Sequence, residues 1–429
     1  MLCLLFHISK YYGIVSITAP RAGLVLRHTS ATLVLIPLSL PEDYIEFTTL
    51  GYFCDGDDRV YELGHDADMP GYGRRVDADS NAVLENAGDY LCRQVRDDGR
   101  FVYGYIGYDN QEIGDYNILR HAGTAWSLMN YYRHSGDESV MADIDAVMEY
   151  LLSQVVYHDG MAFIYDAENG GIKLGSSGLG LIALVNYVEI SGRQDLTGLC
   201  RQLADGILYC LDSDFTFNHV YDSDLNLLEK TRTVYYDGEA TYGLCRLYDL
   251  TGDAAYLDAV EKIIKHNFIA NGYEAIGDHW VAYTLDCFLK SRWDPEIFDF
   301  ALRNISANLE TWEKSQVARP ARFEACANLL DLYGYAVEQG HLIPEWFDAD
   351  MRARFGQAAD YLLGRTLDGF FWPEAAMYQG YPERVTDGFF DRTDAFRTRI
   401  DDTQHSYNGL LVYLGLPVSG PCLENGGCE

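Results

Sequence analysis

Groups of polar, titratable residues recur along the chain, each at the point where an apolar run begins. Carboxylates, histidines and arginines dominate these groups, and such side chains can transfer protons and bind hydroxyl or carbonyl oxygens. The six groups are Asp115-Tyr116-Asn117-Ile118-Leu119-Arg120-His121, Ser176-Ser177-Gly178, Asp237-Gly238-Glu239, Asp278-His279-Trp280, Arg322-Phe323-Glu324 and Asp401-Asp402-Thr403-Gln404-His405. The repetition predicts one shared site for acid–base chemistry, assembled from six places in the sequence.

Four aspartates in these groups also have a simpler interpretation, as helix caps. Asp is a favoured N-cap because its side chain accepts hydrogen bonds from the free N–H groups at a helix N-terminus. The four that lie at or just before a predicted helix start are Asp115, Asp237, Asp278 and Asp401. Glu239 could complete a capping arrangement, and His121 could be a satisfied core histidine. Capping does not account for the remaining members, which are Arg120, His279, Trp280, Arg322, Glu324, Gln404 and His405.

Two kinds of helix alternate after residue 79 and would position these groups. Helices of the first kind are amphipathic with one charged side, and they span residues 80–95, 138–155, 195–211, 254–268, 295–312 and 349–363. Helices of the second kind are rich in Ala, Gly, Leu and Tyr, and they begin near His121, Ser177, Glu239, His279, Glu324 and His405. The first kind suits an outer layer and the second an inner layer. The pattern therefore predicts an all-α fold, an (α/α)6 toroid of six outer and six inner helices.

The connections between helices indicate which face of the toroid carries the site. Links from an inner to an outer helix are short and rich in turn residues, as in Ser135-Gly136-Asp137, Ser191-Gly192-Arg193 and Thr251-Gly252-Asp253. Links from an outer to an inner helix are longer, and residues 98–105, 158–163 and 368–372 read as β-hairpins. Long loops on one face of a repeated scaffold commonly build its functional site. We therefore expect the six groups to converge where the inner helices begin.

Tryptophans and tyrosines accompany the titratable residues, so the predicted cleft suits a polyhydroxylated ligand. Aromatic rings pack on the apolar faces of sugars, while acids and bases address hydroxyl groups and the anomeric carbon. The residues expected to contact such a ligand are Tyr116, Arg120, His121, Trp126, Tyr236, Trp280, Arg322, Glu324, Trp372 and Asp402. The sequence contains no serine-nucleophile elbow, P-loop, Rossmann glycine motif or HExxH motif. We expect neither a cofactor nor a metal site.

The layout of residues 80–415 resembles the six-hairpin glycosidase superfamily, whose toroids host glycoside hydrolases, polysaccharide lyases and sugar 2-epimerases. In the hydrolases, acids near inner-helix starts act as general acid and base, and the acids in comparable places here are Asp115, Asp237, Glu239 and Asp278. In N-acylglucosamine 2-epimerase-like enzymes, histidines on the fourth and last inner helices transfer protons, and His279 and His405 match that placement. Arg120 resembles the arginine that holds the substrate in those enzymes. The segment Gly277-Asp278-His279-Trp280 lacks the Glu-Trp that follows in the epimerase pattern.

Three functions fit these residues. The leading hypothesis is a glycoside hydrolase in which one carboxylic acid, Asp278 or Glu239, protonates the leaving oxygen. A second carboxylate, Asp115 or Asp237, would activate water or act as the nucleophile. The first alternative is a sugar epimerase or isomerase that uses the two histidines named above, since histidine titrates near neutral pH. The second alternative is a non-catalytic toroid that binds a glycan or a protein. The sequence does not determine the oligomeric state.

Composition excludes some partners and locations. The net charge is −33, with 65 Asp and Glu against 32 Lys and Arg, so the chain lacks the basic surface that nucleic acids or anionic membranes require. The apolar runs at 1–6 and 32–40 are shorter than the roughly 18 residues that cross a bilayer. We expect no membrane span and a cytoplasmic location, with a weak signal anchor as the alternative. Ten cysteines without a CxxC pair favour a reducing compartment, and only Cys422 and Cys428 are placed to form a disulfide.

The predicted organisation has four parts. Residues 1–40 form an uncertain apolar segment, for which a non-native start or an extra strand pair are the alternatives. Residues 41–78 form a lead-in of strands and loops, residues 79–417 form the toroid, and residues 418–429 form a tail.

Overall fold

The computed structural model describes residues 24–27, 33–36, 51–54, 60–63, 80–229 and 232–419. Most of the predicted N-terminal segment and lead-in, and the cysteine pair Cys422 and Cys428, lie outside these residues. In chain order the described helices are α1 (Ser80–Arg93), α2 (Ile118–Ser135), α3 (Val140–Ser153), α4 (Leu174–Ser191), α5 (Thr197–Tyr209), α6 (Tyr236–Thr251), α7 (Ala254–Ile263), α8 (His279–Ser291), α9 (Pro295–Glu313), α10 (Pro320–Glu338), α11 (Ala349–Leu367), α12 (Pro373–Ala376) and α13 (Ile400–Tyr413).

Six of these helices form a closed inner ring. Helices α2, α4, α6, α8, α10 and α13 each pack against the next, and α13 packs against α2. Each inner helix also contacts an outer one, and the outer layer consists of α1, α3, α5, α7, α9 and α11. The predicted (α/α)6 toroid is therefore confirmed.

The two layers differ in the burial pattern that their sequences dictate. Outer helix α3 buries Val140, Ile144, Val147, Met148 and Leu151, a spacing that places one stripe toward the core. Inner helix α4 buries fifteen of its eighteen residues, because it is apolar nearly all round. Within the described residues, α4 is the one helix long and apolar enough to cross a membrane, but 83% of that window is buried inside the ring.

The ends of the inner helices follow the turn residues of the sequence. Gly136 and Gly192 close α2 and α4 with φ values of 66° and 70°, a left-handed conformation that glycine adopts without a steric penalty. Gly252 closes α6 in the same way. The starts were harder to predict, since α10 begins at Pro320 and α13 at Ile400, several residues before the predicted positions. A first turn carries no obligatory apolar residue, so hydrophobic periodicity does not mark it.

The capping interpretation holds for only one of the four aspartates. The Asp278 side chain accepts a hydrogen bond from the backbone N–H of Trp280 and caps α8. Helix α2 is capped by Asn117 instead of Asp115. Asp237 and Asp401 lie inside the first turns of α6 and α13 and bond to other side chains. The capping interpretation is therefore wrong for Asp115, Asp237 and Asp401.

Short strands lie in the loops that lead into the inner helices. The described strands are β1 (Leu24–Arg27), β2 (Leu33–Ile36), β3 (Gly51–Cys54), β4 (Val60–Leu63), β5 (Gly104–Ile106), β6 (Gln111–Glu112), β7 (Val155–His158), β8 (Met161–Ile164), β9 (Ile172–Lys173), β10 (Val220–Tyr221), β11 (Leu227–Glu229), β12 (Phe390–Asp391) and β13 (Arg397–Arg399). Strands β1 and β2 form an antiparallel pair, as do β3 and β4. The predicted hairpin at 158–163 is the β7–β8 pair, whereas 368–372 contributes only an isolated bridge between Phe370 and Phe389.

One sheet joins distant parts of the chain at the site. Its strand order is β12-β13-β5-β6, and Arg399 of β13 pairs with Gly104 of β5. This pairing brings the residues before α13 next to the residues before α2. A second sheet, β11-β10-β9, connects the loops before α4 and α6 in the same manner.

Candidate active site

Two histidines that are far apart in the sequence lie in contact at the face of the ring where the inner helices begin. His279 is the first residue of α8, and His405 lies in the second turn of α13. Their ring centroids are 4.7 Å apart, with the ring planes at 88°. His279 is 2% exposed, while the side chain of His405 is 20% exposed. A ligand therefore reaches the pair from the side of His405.

Glu324 of α10 links the two rings. Its Oε2 lies 2.7 Å from Nδ1 of His405 and 3.7 Å from Nε2 of His279. Its Oε1 accepts a 2.7 Å hydrogen bond from the Tyr283 hydroxyl. Because Glu324 is fully buried, its position is fixed by these contacts and by the packing of α10.

His279 is a buried imidazole that lacks hydrogen bonds. Neither ring nitrogen has a hydrogen-bond partner among the described residues, and its nearest carboxylate oxygens are 3.7 Å and 3.8 Å away, on Glu324 and Asp278. A buried polar group without a partner costs about 1–3 kcal/mol. Such a group in a native fold is a candidate for a role in ligand binding or catalysis.

The environments of the two histidines displace their pKa values in opposite directions. Burial, and then the charge of His405, hold the pKa of His279 well below its usual value. Burial acts on His405 in the same sense, but the charge and hydrogen bond of Glu324 outweigh it and raise the pKa of His405. At neutral pH this geometry favours a neutral His279 beside a protonated His405.

Two buried carboxylic acids lie close to the pair. Burial, followed by repulsion from Asp278, raises the pKa of Glu239 well above its usual value. Burial likewise raises the pKa of Asp278 to about 8. Oε2 of Glu239 has no hydrogen-bond partner in the described part of the chain, and a Cβ at Gly175 would lie 2.1 Å from it. A side chain at position 175 would therefore collide with Glu239. The raised pKa values of Glu239 and Asp278 favour their protonated forms, so both acids can donate protons.

Asp237, predicted as a catalytic carboxylate, accepts hydrogen bonds at both of its oxygens. His219 Nε2 lies 2.6 Å from its Oδ1, and Arg232 donates to its Oδ2 at 2.6 Å. Asn267 and the Tyr273 hydroxyl also donate to Oδ2. With both oxygens occupied, Asp237 ties the start of α6 to its neighbouring loops, and it is not free to attack a sugar or activate water.

The entrance to the pair is bordered by an arginine–aspartate network. Arg120 of α2 donates to Asp401 Oδ2 at 2.8 Å and also to the Tyr103 hydroxyl. Arg399 holds the other side of Asp401. Burial would raise the pKa of Asp401, but Arg399 and then Arg120 hold it well below the usual value. The Arg120 side chain is 32% exposed, so it can contact a ligand near His405.

Several predicted contact residues lie elsewhere. Nδ1 of His121 is 2.7 Å from the Tyr116 hydroxyl and Nε2 is 2.9 Å from the backbone oxygen of Val147 on α3. His121 and Tyr116 thus connect the inner and outer layers. Trp126 is fully buried and donates to the backbone of Val418. Trp372 is also buried and donates to the backbone of Leu367, so neither tryptophan forms a wall of the cleft.

The remaining predicted residues occupy the rim or its support. Asp115 is exposed on the loop before α2. Arg322 is half-buried at the start of α10, and Tyr236 is half-buried at the start of α6. Trp280 is buried beneath the pair, with its ring 6.2 Å from that of His405. Asp402 is paired with Arg397, and burial followed by repulsion from Asp401 raises the pKa of Asp402 to about 7.

Sequence patterns missed residues that lie outside the six groups. Asp237 is hydrogen-bonded by three such residues from separate segments of the chain, which are His219, Asn267 and Tyr273. Asn267 belongs to the π-helix Ile264–Ile269, which extends α7 and is a feature often found near functional sites. Tyr235 precedes α6 with φ of 87° and sets its ring 5.2 Å from that of His279. A left-handed tyrosine has no signature in the sequence.

Within the described chain, one set of three residues has donor atoms close enough to surround a metal ion. The set consists of His279, Glu324 and His405. One donor atom each of His279, Glu324 and His405 lies within 4.8 Å of the others. The 2.7 Å separation between His405 and Glu324 is a hydrogen-bond distance. Two donors that each lie about 2.1 Å from a tetrahedral zinc ion are roughly 3.4 Å apart. The contact between His405 and Glu324 is therefore spaced as a hydrogen bond, whereas Glu324 and His279 are 3.7 Å apart.

Comparison with known proteins identifies the fold. The sequence matches no protein-family model and no curated protein. A sugar epimerase from a ruminal bacterium is 12% identical, with a TM-score of 0.59 over 79% of this chain and 99% of that chain. A D-mannose isomerase is 11% identical, with a TM-score of 0.60 over 81% and 100%. The GH76A alpha-1,6-mannanase from Salegentibacter sp. HEL1_6 is 12% identical, with a TM-score of 0.54 over 79% and 100%. The chain therefore shares its fold with these three structures.

Proposed function

We propose that this protein is a carbohydrate-active enzyme that epimerises or isomerises a free reducing sugar by proton transfer. The observation that carries the proposal is the contact between His279 and His405, with pKa values displaced in opposite directions. Pairs of titratable groups whose environments separate their pKa values commonly divide the roles of base and acid.

The proposed roles follow from these protonation states. His279 removes the proton from the carbon next to the sugar carbonyl, and His405 donates a proton to the carbonyl oxygen. An enediol results. His279 then returns its proton, either to the former carbonyl carbon to give the isomer, or to the same carbon after the enediol has turned its opposite face toward His279 to give the epimer. The second proton leaves the hydroxyl and restores the protonated state of His405, so the sugar gains and loses no atoms overall.

Neighbouring groups support this chemistry. Glu324 favours the charged form of His405, and Arg120 offers guanidinium N–H groups to sugar oxygens near the entrance. Asp278 and Glu239 are held as neutral acids, which can donate to hydroxyl groups without placing a negative charge beside the enediol. The similarity in fold to a sugar epimerase and a D-mannose isomerase is in keeping with the proposal.

Glycoside hydrolysis is the second candidate, favoured by one specific observation. With its pKa raised to about 8, Asp278 would be protonated at neutral pH and could act as a general acid toward a glycosidic oxygen. Hydrolysis also needs an ionised carboxylate that is free to act on water or on the sugar. Both oxygens of Asp237 are hydrogen-bonded and Asp115 is exposed to solvent on its loop, so neither is a buried, unpaired carboxylate that would complete the predicted hydrolytic pair.

Epimerisation or isomerisation differs from hydrolysis in whether deuterium from the solvent is incorporated into a carbon–hydrogen bond of the free sugar. We expect the protein to convert free aldohexoses such as D-mannose in D2O and to place deuterium on the carbon next to the carbonyl, as detected by NMR. His279→Gln and His405→Gln should abolish the exchange, while Asp278→Asn should retain part of it. Cleavage of an α-1,6-linked mannan that Asp278→Asn abolishes, without deuterium at carbon 2 of free sugars, would contradict the proposal and favour hydrolysis.

A further inference from the structure

A cavity opens toward the other end of the ring, away from the starts of the inner helices. Its volume is about 500 Å³, within the range of roughly 300–1,000 Å³ typical of small-molecule sites. Side chains of α6, α8 and α10 form its walls, together with Val412 of α13 and residues 415–419. The charged residues in these walls are Arg246, Asp249, Asp286, Lys290 and Asp331.

The charges of this cavity are already paired with one another. Arg246 donates to Asp249 and, at 2.7 Å, to Glu189. Lys290 donates to Asp286 at 2.9 Å and also to Asp331. An ionic ligand would have to break one of these pairs. A neutral ligand can instead use the oxygen lone pairs and N–H groups that the pairs leave free.

Arg246 carries a buried atom without a hydrogen-bond partner. Its Nε has none within the described residues, and the residue is only 5% exposed. The lining of the cavity also includes Tyr242, Tyr283 and Asn328. Paired carboxylates, a guanidinium group and aromatic residues together are the chemistry that binds hydroxyl-bearing molecules.

We propose that this cavity binds a neutral polyhydroxylated molecule of the size of a mono- or disaccharide, separately from the histidine pair. Tyr283 gives this site a physical connection to the pair, because its ring lines the cavity while its hydroxyl donates to Glu324 at 2.7 Å. Glu324 in turn bonds to His405. A ligand that moves the Tyr283 ring changes the hydrogen bond that fixes Glu324, and so changes the titration of His405.

Sorbitol is a suitable probe, because it has hydroxyl groups but no carbonyl and no glycosidic bond. Neither enzymatic reaction considered above can consume it, so its binding is measured independently of the proposed function. We expect saturable binding by calorimetry and by NMR. The double variant Asp249→Asn with Asp331→Asn should bind sorbitol about tenfold more weakly, since it removes two charged acceptors. The matched control Asp258→Asn, which alters an exposed pair with Arg292, should bind like the wild type, as should His279→Leu.

Two results would overturn the site. The first is the absence of binding to the wild type up to about 100 mM sorbitol, beyond the weakest affinities typical of specific sites. The second is binding that His279→Leu removes and the double variant leaves intact, which would place sorbitol at the histidine pair. For the connection, saturating sorbitol should shift the NMR titration of His405 in the wild type and not in Tyr283→Phe. An unchanged titration in the wild type would overturn the connection.

Discussion

The starts of α2 and α8 each contain a fully enclosed histidine, and the two have opposite surroundings. At α2, both nitrogens of His121 are bonded, one to Tyr116 and one to the backbone of Val147. At α8, neither nitrogen of His279 is bonded to any described group. Residue type, burial and position on an inner helix are the same at both places. What separates a structural histidine from a candidate catalytic one is whether its hydrogen bonds are satisfied.

The difference has an energetic meaning. His121 stabilises the fold because it joins the inner layer to the outer layer at the cost of no unpaired group. His279 costs stability, because burial without partners is unfavourable. Natural proteins retain such local costs chiefly where function requires them. The comparison therefore predicts that stability and activity depend on different histidines.

The largest expected effect comes from exchanging each histidine for leucine. His279→Leu should lower turnover of the sugar about 10²–10⁴-fold, the usual contribution of a positioned acid or base, with stability unchanged or increased. His121→Leu should retain turnover but lose about 2–4 kcal/mol of unfolding free energy, because it removes two buried hydrogen bonds, one to the Tyr116 hydroxyl and one to the Val147 carbonyl. Urea titration and steady-state kinetics on both variants test this. Equal destabilisation by the two changes would break the comparison.

The next largest effect is expected in the pH dependence of activity when Glu324, the hydrogen-bond partner of His405, is changed. Glu324→Gln removes the charge that raises the pKa of His405. Activity that needs protonated His405 falls as the pH rises through this pKa, so the alkaline limb of the pH–rate profile should move to lower pH. We expect turnover at neutral pH to drop about tenfold or more. Glu313→Gln, which alters a surface pair with Arg354, is the matched control and should leave the profile in place. A profile that does not move in Glu324→Gln would remove Glu324 from the mechanism.

A smaller effect should appear in the stability of the fold toward acid. Burial lowers the pKa of His121 to about 4. Its contribution to stability is complete above the unfolded-state pKa near 6.5 and is lost as the pH falls toward 4, because only the unfolded chain then binds the proton. The loss amounts to roughly 3 kcal/mol. Denaturation midpoints measured from pH 7 to pH 4 should fall less steeply in His121→Leu than in the wild type. Parallel curves would contradict the assignment.

The smallest predicted effect is a change in KM when Arg120, at the entrance to the histidine pair, is replaced. Arg120→Lys keeps the positive charge near Asp401 but loses the planar guanidinium. We expect KM for the sugar to rise several-fold, with kcat less affected, because Arg120 holds the ligand and does not transfer the proton. Arg292→Lys, at the C-terminal end of α8 and paired there with Asp258, serves as the control. A change confined to kcat would indicate that Arg120 acts on the reacting atoms.

Sequence reasoning predicted the toroid well because its evidence is local and repeated. Charged stripes define the outer helices, apolar helices such as α4 define the inner ring, and Gly136 and its counterparts mark the ends. The repetition also pointed to the positions of His279, Glu324 and His405. Their direct contact could not be predicted, because it depends on how α8, α10 and α13 pack side by side and on the rotamers of the three side chains.

The contacts of Asp237 and His121 could not be predicted for a similar reason. Asp237 looked like a free carboxylate because His219, Asn267 and Tyr273 lie in other segments, and no pattern in the sequence associates them with it. His121 looked like a ligand contact because helical periodicity does not reveal that it faces α3. Hydrogen-bond satisfaction is a property of the assembled layers, so it becomes visible only in the structure.

NMR titration of the ring nitrogens of His279 and His405 tests the central claim most directly. Isotope-labelled protein, with His279→Leu and His405→Gln for assignment, gives the protonation state of each ring from acid to alkaline pH. We predict that His279 stays neutral well below pH 6.5, the ordinary histidine value, and that His405 stays protonated above it. Two rings that titrate together near 6.5 would contradict the division into base and acid.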